Sequence, residues 1–365
     1  MDDMLPAKVE LRRGWTTGTC ATAAAAAAYQ ALLTGAFPDA VRVELPRGGT
    51  ATLAIATARL EPGSATAGVI KDAGDDPDVT HGAEIRATVA PGPAGCGVTF
   101  RAGEGVGTVT LPGLPVAVGE PAINPGPRAM IRAAVASAAE RHGAAGDVVV
   151  TVSVPGGEAL AAKTLNGRLG IVGGLSILGT TGVVVPFSCA AWIHSIHRGV
   201  DVARAAGLVH LAAATGSTSE AAVKALYGLP EPALIDMGDF VGGTLKYLRR
   251  HPVPRLTIAG GFAKLVKLAQ GAMFLHSSKS RVDMAALAGV LETLAAPADL
   301  VAEAVSANTA AQVLAMATAH GLPLADEIAA RARAVALGAL AAETDVEVMV
   351  FTRQGALAGR AAFGD

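Results

Sequence analysis

Two rhythms of apolar and polar positions divide the chain. Through the first half, short runs alternate apolar with polar residues, carry β-branched side chains and end at Gly or Pro turns. That pattern predicts strands at 41–45, 51–60, 84–89, 97–101, 107–111 and 148–154. Two helices interrupt them. One is the alanine run at 21–28, broken only by Thr22, since alanine is the best helix former; the other spans about 127–141. Strands with segregated helices predict an α+β domain.

The rhythm then changes. A helix over 187–206 leads into a strand at 208–213, followed by "ATGSTSEAAVKAL", "ALIDMGDFVGGTLKYL" and "LTIAGGFAKLVKLAQG". Three successive units of apolar strand, small-residue turn and helix predict a parallel sheet with ligand loops at its carboxyl edge. The last third is helical and alanine-rich and closes on a strand, "VEVMVFT". The glycine-rich passage "NGRLGIVGGLSILGTTGVVVP" lies between the two rhythms, so the expected domains are 1–178 (α+β) and 179–365 (α/β). A ligand cleft is expected at their junction, where pockets often form.

Composition narrows the function. Hydrophobic residues make up 51% of the 365 positions, but the excess is alanine. No uninterrupted apolar stretch reaches the roughly 18 residues a membrane span needs. The first residues are acidic and polar, so no secretory leader is read and a cytoplasmic protein is expected. A net charge of −2 and 4% aromatics exclude a general nucleic-acid binder. An anionic ligand must therefore meet a local basic pocket. Cys20, Cys96 and Cys189 form no CxxC pair, which excludes a disulfide framework and a structural zinc site.

Several stretches could carry chemistry. "RRGWTTGTC" opens directly on the alanine helix, so Thr16 and Thr17 either cap it or help its start receive an anion, with Arg12 and Arg13 alongside. "GVIKDAGDDPDVTHG" lacks the EF-hand Gly and Glu positions and reads as a polar turn or an acid/base loop, with Asp72 and Asp75 as candidates. "PAINPGPR" presents Arg128 rigidly, as bidentate carboxylate recognition requires. Lys163, Asn166 and Arg168 offer donors at the head of the glycine-rich passage. In the second half, Thr215, Gly216 and Ser217 stand at a helix start, although Ser217 with Glu220 equally fits a capping box. Asp239 follows a strand, where an acid often accepts ribose hydroxyls, and Gly260 and Gly261 permit close backbone approach with Lys264 one turn on. His194 and His197 share a helix face without a third metal ligand, and packing explains them better than metal.

Taken in order, "GWTTGTCATAAAAAA", "KDAGDDPDVT", "GVGTVTLPGL", "PAINPGPR", "LNGRLGIVGGLSILGTTG", "TGSTSE" and "MGDF" resemble the CbiD family, the cobalt-precorrin-5B C(1)-methyltransferases of cobalamin biosynthesis. The resemblance covers about residues 14–280; Gly126 stands where the family usually has Val, and the segment after about 282 carries no matching motif. It implies S-adenosyl-L-methionine as methyl donor and a cobalt-containing, ring-contracted polycarboxylate tetrapyrrole as acceptor. Methylation at C1 would give cobalt-precorrin-6A in the anaerobic-type pathway. It also implies a domain resembling ribosomal protein S5 domain 2, joined to a Rossmann-like parallel-sheet domain. On this reading Arg12, Arg13, Thr16, Thr17, Arg128, Lys163 and Arg168 meet acceptor carboxylates. Thr215, Gly216, Ser217, Asp239, Gly260 and Gly261 hold the donor, with Gly179, Thr180, Thr181 and Gly182 between donor and acceptor, and Asp72 or Asp75 takes any released proton. No resident metal, nucleic acid or membrane partner is expected; other enzymes of the pathway are candidate partners. The alternatives are a non-catalytic corrinoid carrier and an NADPH-dependent tetrapyrrole reductase.

Overall fold

The structure, a computed structural model, describes residues 11–341 and 343–364. The described residues up to Ser188 pack as one unit and those from Cys189 onward as another. The division falls after Ser188 rather than after residue 178, because the end of the glycine-rich passage pairs back onto the start of the chain.

In the first unit, β1 (Gly14–Trp15) runs directly into α1 (Thr17–Thr34). There follow β2 (Ala40–Glu44), β3 (Thr50–Ala54), β4 (Thr57–Glu61), β5 (Ser64–Ile70), β6 (Glu84–Pro91), β7 (Val98–Ala102) and β8 (Thr108–Val109). The unit closes with α2 (Pro125–His142), β9 (Val148–Ser153), α3 (Gly157–Ala161), β10 (Ile171–Val172) and β11 (Val183–Val184). The main sheet has the order β4-β5-β6-β9-β7 and is antiparallel except for the parallel β7–β9 pair. α1 lies on β5 and β6 and against α2. A helix that is apolar all round must be covered all round. α1 meets that condition: Cys20 and most of its alanines are fully buried, and the sheet faces them with Ala65, Ala67 and Ala87.

That small-on-small contact explains a strand the sequence pattern did not reveal. β5 alternates through Ala65, Ala67 and Val69, and alanine alternating with other small residues gives little periodic signal. The single strand expected at 51–60 is two strands in different sheets, β3 and β4. α2 begins at Pro125, earlier than expected, because proline suits the first helical turn, whose N–H groups lack intrahelical partners anyway.

The second unit opens with α4 (Cys189–Ala205) and then alternates β12 (His210–Ala214), α5 (Ser217–Tyr227), β13 (Leu234–Asp236), α6 (Val241–Leu248), β14 (Arg255–Gly261) and α7 (Phe262–Ala269). Four helices, α8 (Met284–Thr293), α9 (Ala298–Ser306), α10 (Ala310–Ala319) and α11 (Leu324–Ala339), precede β15 (Asp345–Phe351) and β16 (Leu357–Ala361). The sheet order is β13-β12-β14-β15-β16, parallel except for β16, so the alternating units build the parallel sheet their pattern predicts. Residue parity separates the two faces. Leu211, Ala213, Leu256, Ile258, Val346 and Val348 join the larger core, while Ala212, Ala214, Ala259, Met349 and Phe351 join a smaller one with Val223 of α5. Mixed α/β architecture with a parallel-containing sheet is therefore established. No helix among the described residues is long and apolar enough to cross a membrane.

Candidate functional site

Four sequence motifs far apart in the first unit converge around the start of α1. Trp15 N–H donates to Asp72 O at 2.7 Å, and Arg12 and Asp75 exchange two bonds, N–H to Oδ2 at 2.6 Å and Asp75 N–H to Arg12 O at 3.0 Å. From the glycine-rich passage, Leu178 O accepts from Gly18 N–H and Gly182 O accepts from Thr16 N–H. Asn124 N–H donates to Ile177 O, which brings in the proline motif. Gly179 has φ +142°, and a Cβ there would stand 2.2 Å from Thr16 Oγ1. Only glycine lets these two strands of chain touch.

This geometry corrects several expected roles. The Thr16 and Thr19 hydroxyls lie 2.9 Å apart, and Thr19 donates onward to Gly182 O at 2.7 Å, so Thr16 donates to Thr19 while accepting Thr19 N–H. Thr16 is a helix cap with its donor engaged, and Thr17 is buried beside it. The spare helix-start donors imagined for an anion are thus partly committed to protein carbonyls. Gly179, Thr180, Thr181 and Gly182, expected between donor and acceptor, belong to the first unit, where Gly179 lies against Thr16 and Gly182 against Thr19 of the α1 start.

Arg128 is likewise occupied. Its Nε donates to Ile123 O at 2.7 Å, Nη2 to Pro121 O at 3.0 Å and Nη1 to Glu120 Oε2 at 3.0 Å. The side chain is only 16% exposed and its guanidinium lies 5.2 Å from the Phe100 ring centre. Arg128 buttresses the turn before α2, and the carboxylate it holds is the protein's own Glu120. Arg128→Ala is expected to destabilise the first unit by about 1–3 kcal/mol, the usual consequence of stranding buried acceptors, read as a lower midpoint in urea unfolding.

Arg12 forks onto Asp72, which also accepts Gly74 N–H at 2.9 Å. These bonds to Arg12 and Gly74 hold the Asp72 carboxyl down at about 2. A carboxylate that acidic has little affinity for a proton at neutral pH, which removes Asp72 as a general base. The linkage sign follows: the folded pKa lies below the unfolded one, so the pair stabilises above about pH 4 and loses that contribution as pH falls toward 2. A carboxyl-carbon NMR titration of Asp72 is expected to show a midpoint near 2; a midpoint near 4 would dissolve the pair. Asp75 is exposed. Lys71, fully buried, donates to Asp78 and to Thr80 Oγ1, an ion pair the sequence pattern did not disclose. Arg13 and Lys163 are exposed and make no ion pair among the described residues, whereas Arg168 has a partner.

In the second unit the chain leaves β12 for β13 on one side and then returns to place β14 on the other. That reversal makes the carboxyl ends of β12 and β14 a topological switch point, the usual ligand crevice of such sheets. Thr215 N–H donates to Ala259 O at 2.9 Å, and a Cβ on Gly260 would lie 2.8 Å from Thr215 Oγ1. Lys264 Nζ donates to Thr215 O at 2.8 Å and stands 3.3 Å from Asp239 Oδ1, tying three loops together. Thr215, Asp239 and Gly260, singled out from sequence, are thus brought together here. Asp239 Oδ1 is buried and accepts no hydrogen bond among the described residues. The capping-box reading of Ser217 fails: Gly216 is the N-cap of α5, with no side-chain cap bond. α6 and α7 also begin without side-chain caps.

Aromatic rings flank Asp239, a feature sequence reasoning missed because its members come from three separate segments. Trp192 Nε1 donates to Asp236 O at 3.1 Å, and ring centres lie 6.2 Å apart for Trp192–Phe240 and 5.1 Å for Phe240–Phe274. His197 stacks on Tyr247 at 3.8 Å, and burial pushes the His197 pKa down, so its role is packing.

These features define a two-unit mixed α/β protein whose second unit offers a doubly wound, switch-point crevice. The CbiD profile matches residues 4–186 and the CbiD C-terminal domain profile matches residues 274–362. Relatives called cobalt-precorrin-5B C(1)-methyltransferase include one from Bradyrhizobium sp., 62% identical over 97% of this chain and 95% of its own. Those from Paramagnetospirillum magneticum (61%; 96% and 98%) and Brucella canis (58%; 97% and 97%) are similar. A crystal structure of the cobalamin biosynthesis protein CbiD from Archaeoglobus fulgidus is 31% identical, covering 72% of this chain and 81% of that one, with a TM-score of 0.40. The chain belongs to the CbiD family.

Proposed function

We propose that this protein is a cobalt-precorrin-5B C(1)-methyltransferase of cobalamin biosynthesis, using S-adenosyl-L-methionine and releasing cobalt-precorrin-6A. The observation that carries the reaction is 58–62% identity over nearly the whole length to relatives with that activity in their names. The same reading takes the two units as S5 domain 2-like and Rossmann-like.

Three features support the second unit's crevice-forming loops as the donor site. Asp239 Oδ1 is buried and accepts no hydrogen bond among the described residues, although Lys264 Nζ stands 3.3 Å away, and a ribose hydroxyl would supply one. The uncapped start of α5 leaves backbone donors around Gly216 and Ser217 for a carboxylate. Gly260 and Gly261 keep the wall beside Thr215 free of side chains. When bound, the sulfonium supplies an electrophilic methyl group for in-line attack by a ring carbon.

The chain's residues contribute position rather than a nucleophile. Lys264 fixes the loops after β12 and β13 relative to each other. Holding two reactants in line is worth about 7–11 kcal/mol in well-oriented systems. Arg13 and Lys163, both exposed, remain available to acceptor carboxylates, and Asp75 is the surviving candidate to take a proton. Asp72 instead orders Arg12. Calorimetric titration separates the alternatives. Tight binding of S-adenosylhomocysteine without NADPH binding is expected. NADPH binding would favour the reductase, and tetrapyrrole binding with neither nucleotide would favour the carrier.

A further inference from the structure

The second unit also contains a cavity of about 560 Å³ beyond the end of α7, lined by Lys267, Arg281, Arg331, Gln270 and Asp283. Lys267 is 8% exposed, yet its ammonium donates only to Leu275 O at 2.8 Å and has no carboxylate within ion-pair distance among the described residues. A buried charge is ordinarily paired. Arg281 is exposed and also makes no ion pair among the described residues. Arg331 is held by Glu327 and Thr293. Of the acids nearby, Asp283 caps α8 through Ala286 N–H, and Glu327 is taken by Arg331. The lining therefore sets three cations, Lys267, Arg281 and Arg331, against the single carboxylate of Asp283, an excess of positive charge among the described residues.

We infer that this cavity is a carboxylate-binding subsite, with Lys267 and Arg281 gripping a carboxylate of the tetrapyrrole acceptor. Leu275 links it to the donor crevice: its carbonyl accepts from Lys267 and its N–H donates to Asp239 O at 2.9 Å. A chain of net charge −2 has no general attraction for a polyacid, so local cations must provide it. The inference rests on the acceptor proposed above, and it deepens that reading.

The test is equilibrium binding of cobalt-precorrin-5B, followed by its absorbance under anaerobic conditions, so that methyl transfer is not needed for the readout. Arg281→Ala is expected to raise the acceptor Kd about tenfold while leaving S-adenosylhomocysteine affinity unchanged, as loss of a charge-assisted bond implies. Lys267→Met is expected to weaken acceptor binding without lowering Tm, because it removes a buried charge lacking a counter-ion. An unchanged acceptor Kd in Arg281→Ala overturns the inference. So does a Lys267→Met protein that melts earlier but binds acceptor normally, which would make the ammonium a structural strut. Inorganic phosphate serves as the free-anion probe: if it raises Tm in the parent but not in Arg281→Ala, with acceptor Kd unchanged, the pocket belongs to a free anion. Acceptor binding as expected without methyl transfer would overturn the methyltransferase reading and leave the subsite standing.

Discussion

Asp239→Ala is expected to weaken S-adenosylhomocysteine binding about 10- to 100-fold, the range for losing hydrogen bonds to a charged group. The argument starts from an imbalance in the free protein. Asp239 Oδ1 is buried beside Lys264 but accepts no hydrogen bond among the described residues. Such an oxygen gains most when a ligand hydroxyl arrives. Removing it strands little inside the fold, since Lys264 retains the Thr215 carbonyl. Circular dichroism and Tm should therefore stay near those of the parent while calorimetry reports the weakened affinity. Unchanged affinity would move the ribose elsewhere.

Glu347→Ala is expected to have the opposite profile, a large loss of stability without a direct effect on ligands. Glu347 is on β15 at 0% exposure, on the sheet face that α5 covers. Its carboxylate accepts from Tyr227 OH at 2.7 Å, Thr257 Oγ1 at 2.9 Å and Arg360 Nε at 2.7 Å. Because Thr257 gives its proton to Glu347, His210 Nε2 must donate to Thr257, 2.8 Å away. Burial pushes His210 down, which favours the neutral ring in that role. Burial and the bond to Glu347 push Tyr227 up to about 12, so it remains a donor at neutral pH. Taking away the shared acceptor leaves a buried network without its centre, a change that typically costs about 3–5 kcal/mol. Amide exchange in β14 and β15 should speed up by roughly two to three orders of magnitude. Glu347→Gln, which keeps an acceptor oxygen, should fall between.

The parts of this fold that sequence could announce were those with strong periods and sharp punctuation. β12, β13 and β14, each an apolar run followed by a small-residue turn, announced the parallel sheet because parallel strands bury both faces and leave their turns at one edge. β5 and the alanine face under α1 were hidden because alanine carries too little hydrophobic contrast. The charged residues were the hardest to assign. Arg12 and Arg128 read as donors for something outside, yet each satisfies itself internally through partners 60 and 8 residues away. A basic residue's partner in the fold has no periodic signature. Lys264 and Lys267 gain their importance from contacts with Asp239, Thr215 and Leu275, which the linear order does not foretell.

The central claim is that this chain moves a methyl group from a sulfonium donor to C1 of a cobalt corrinoid. Incubating the protein with cobalt-precorrin-5B and methyl-labelled S-adenosyl-L-methionine, then locating the label by carbon NMR, tests it directly. A single labelled methyl on C1, appearing only with active protein, is the result the account predicts. A label at another ring position, or none transferred while both compounds bind, would contradict it.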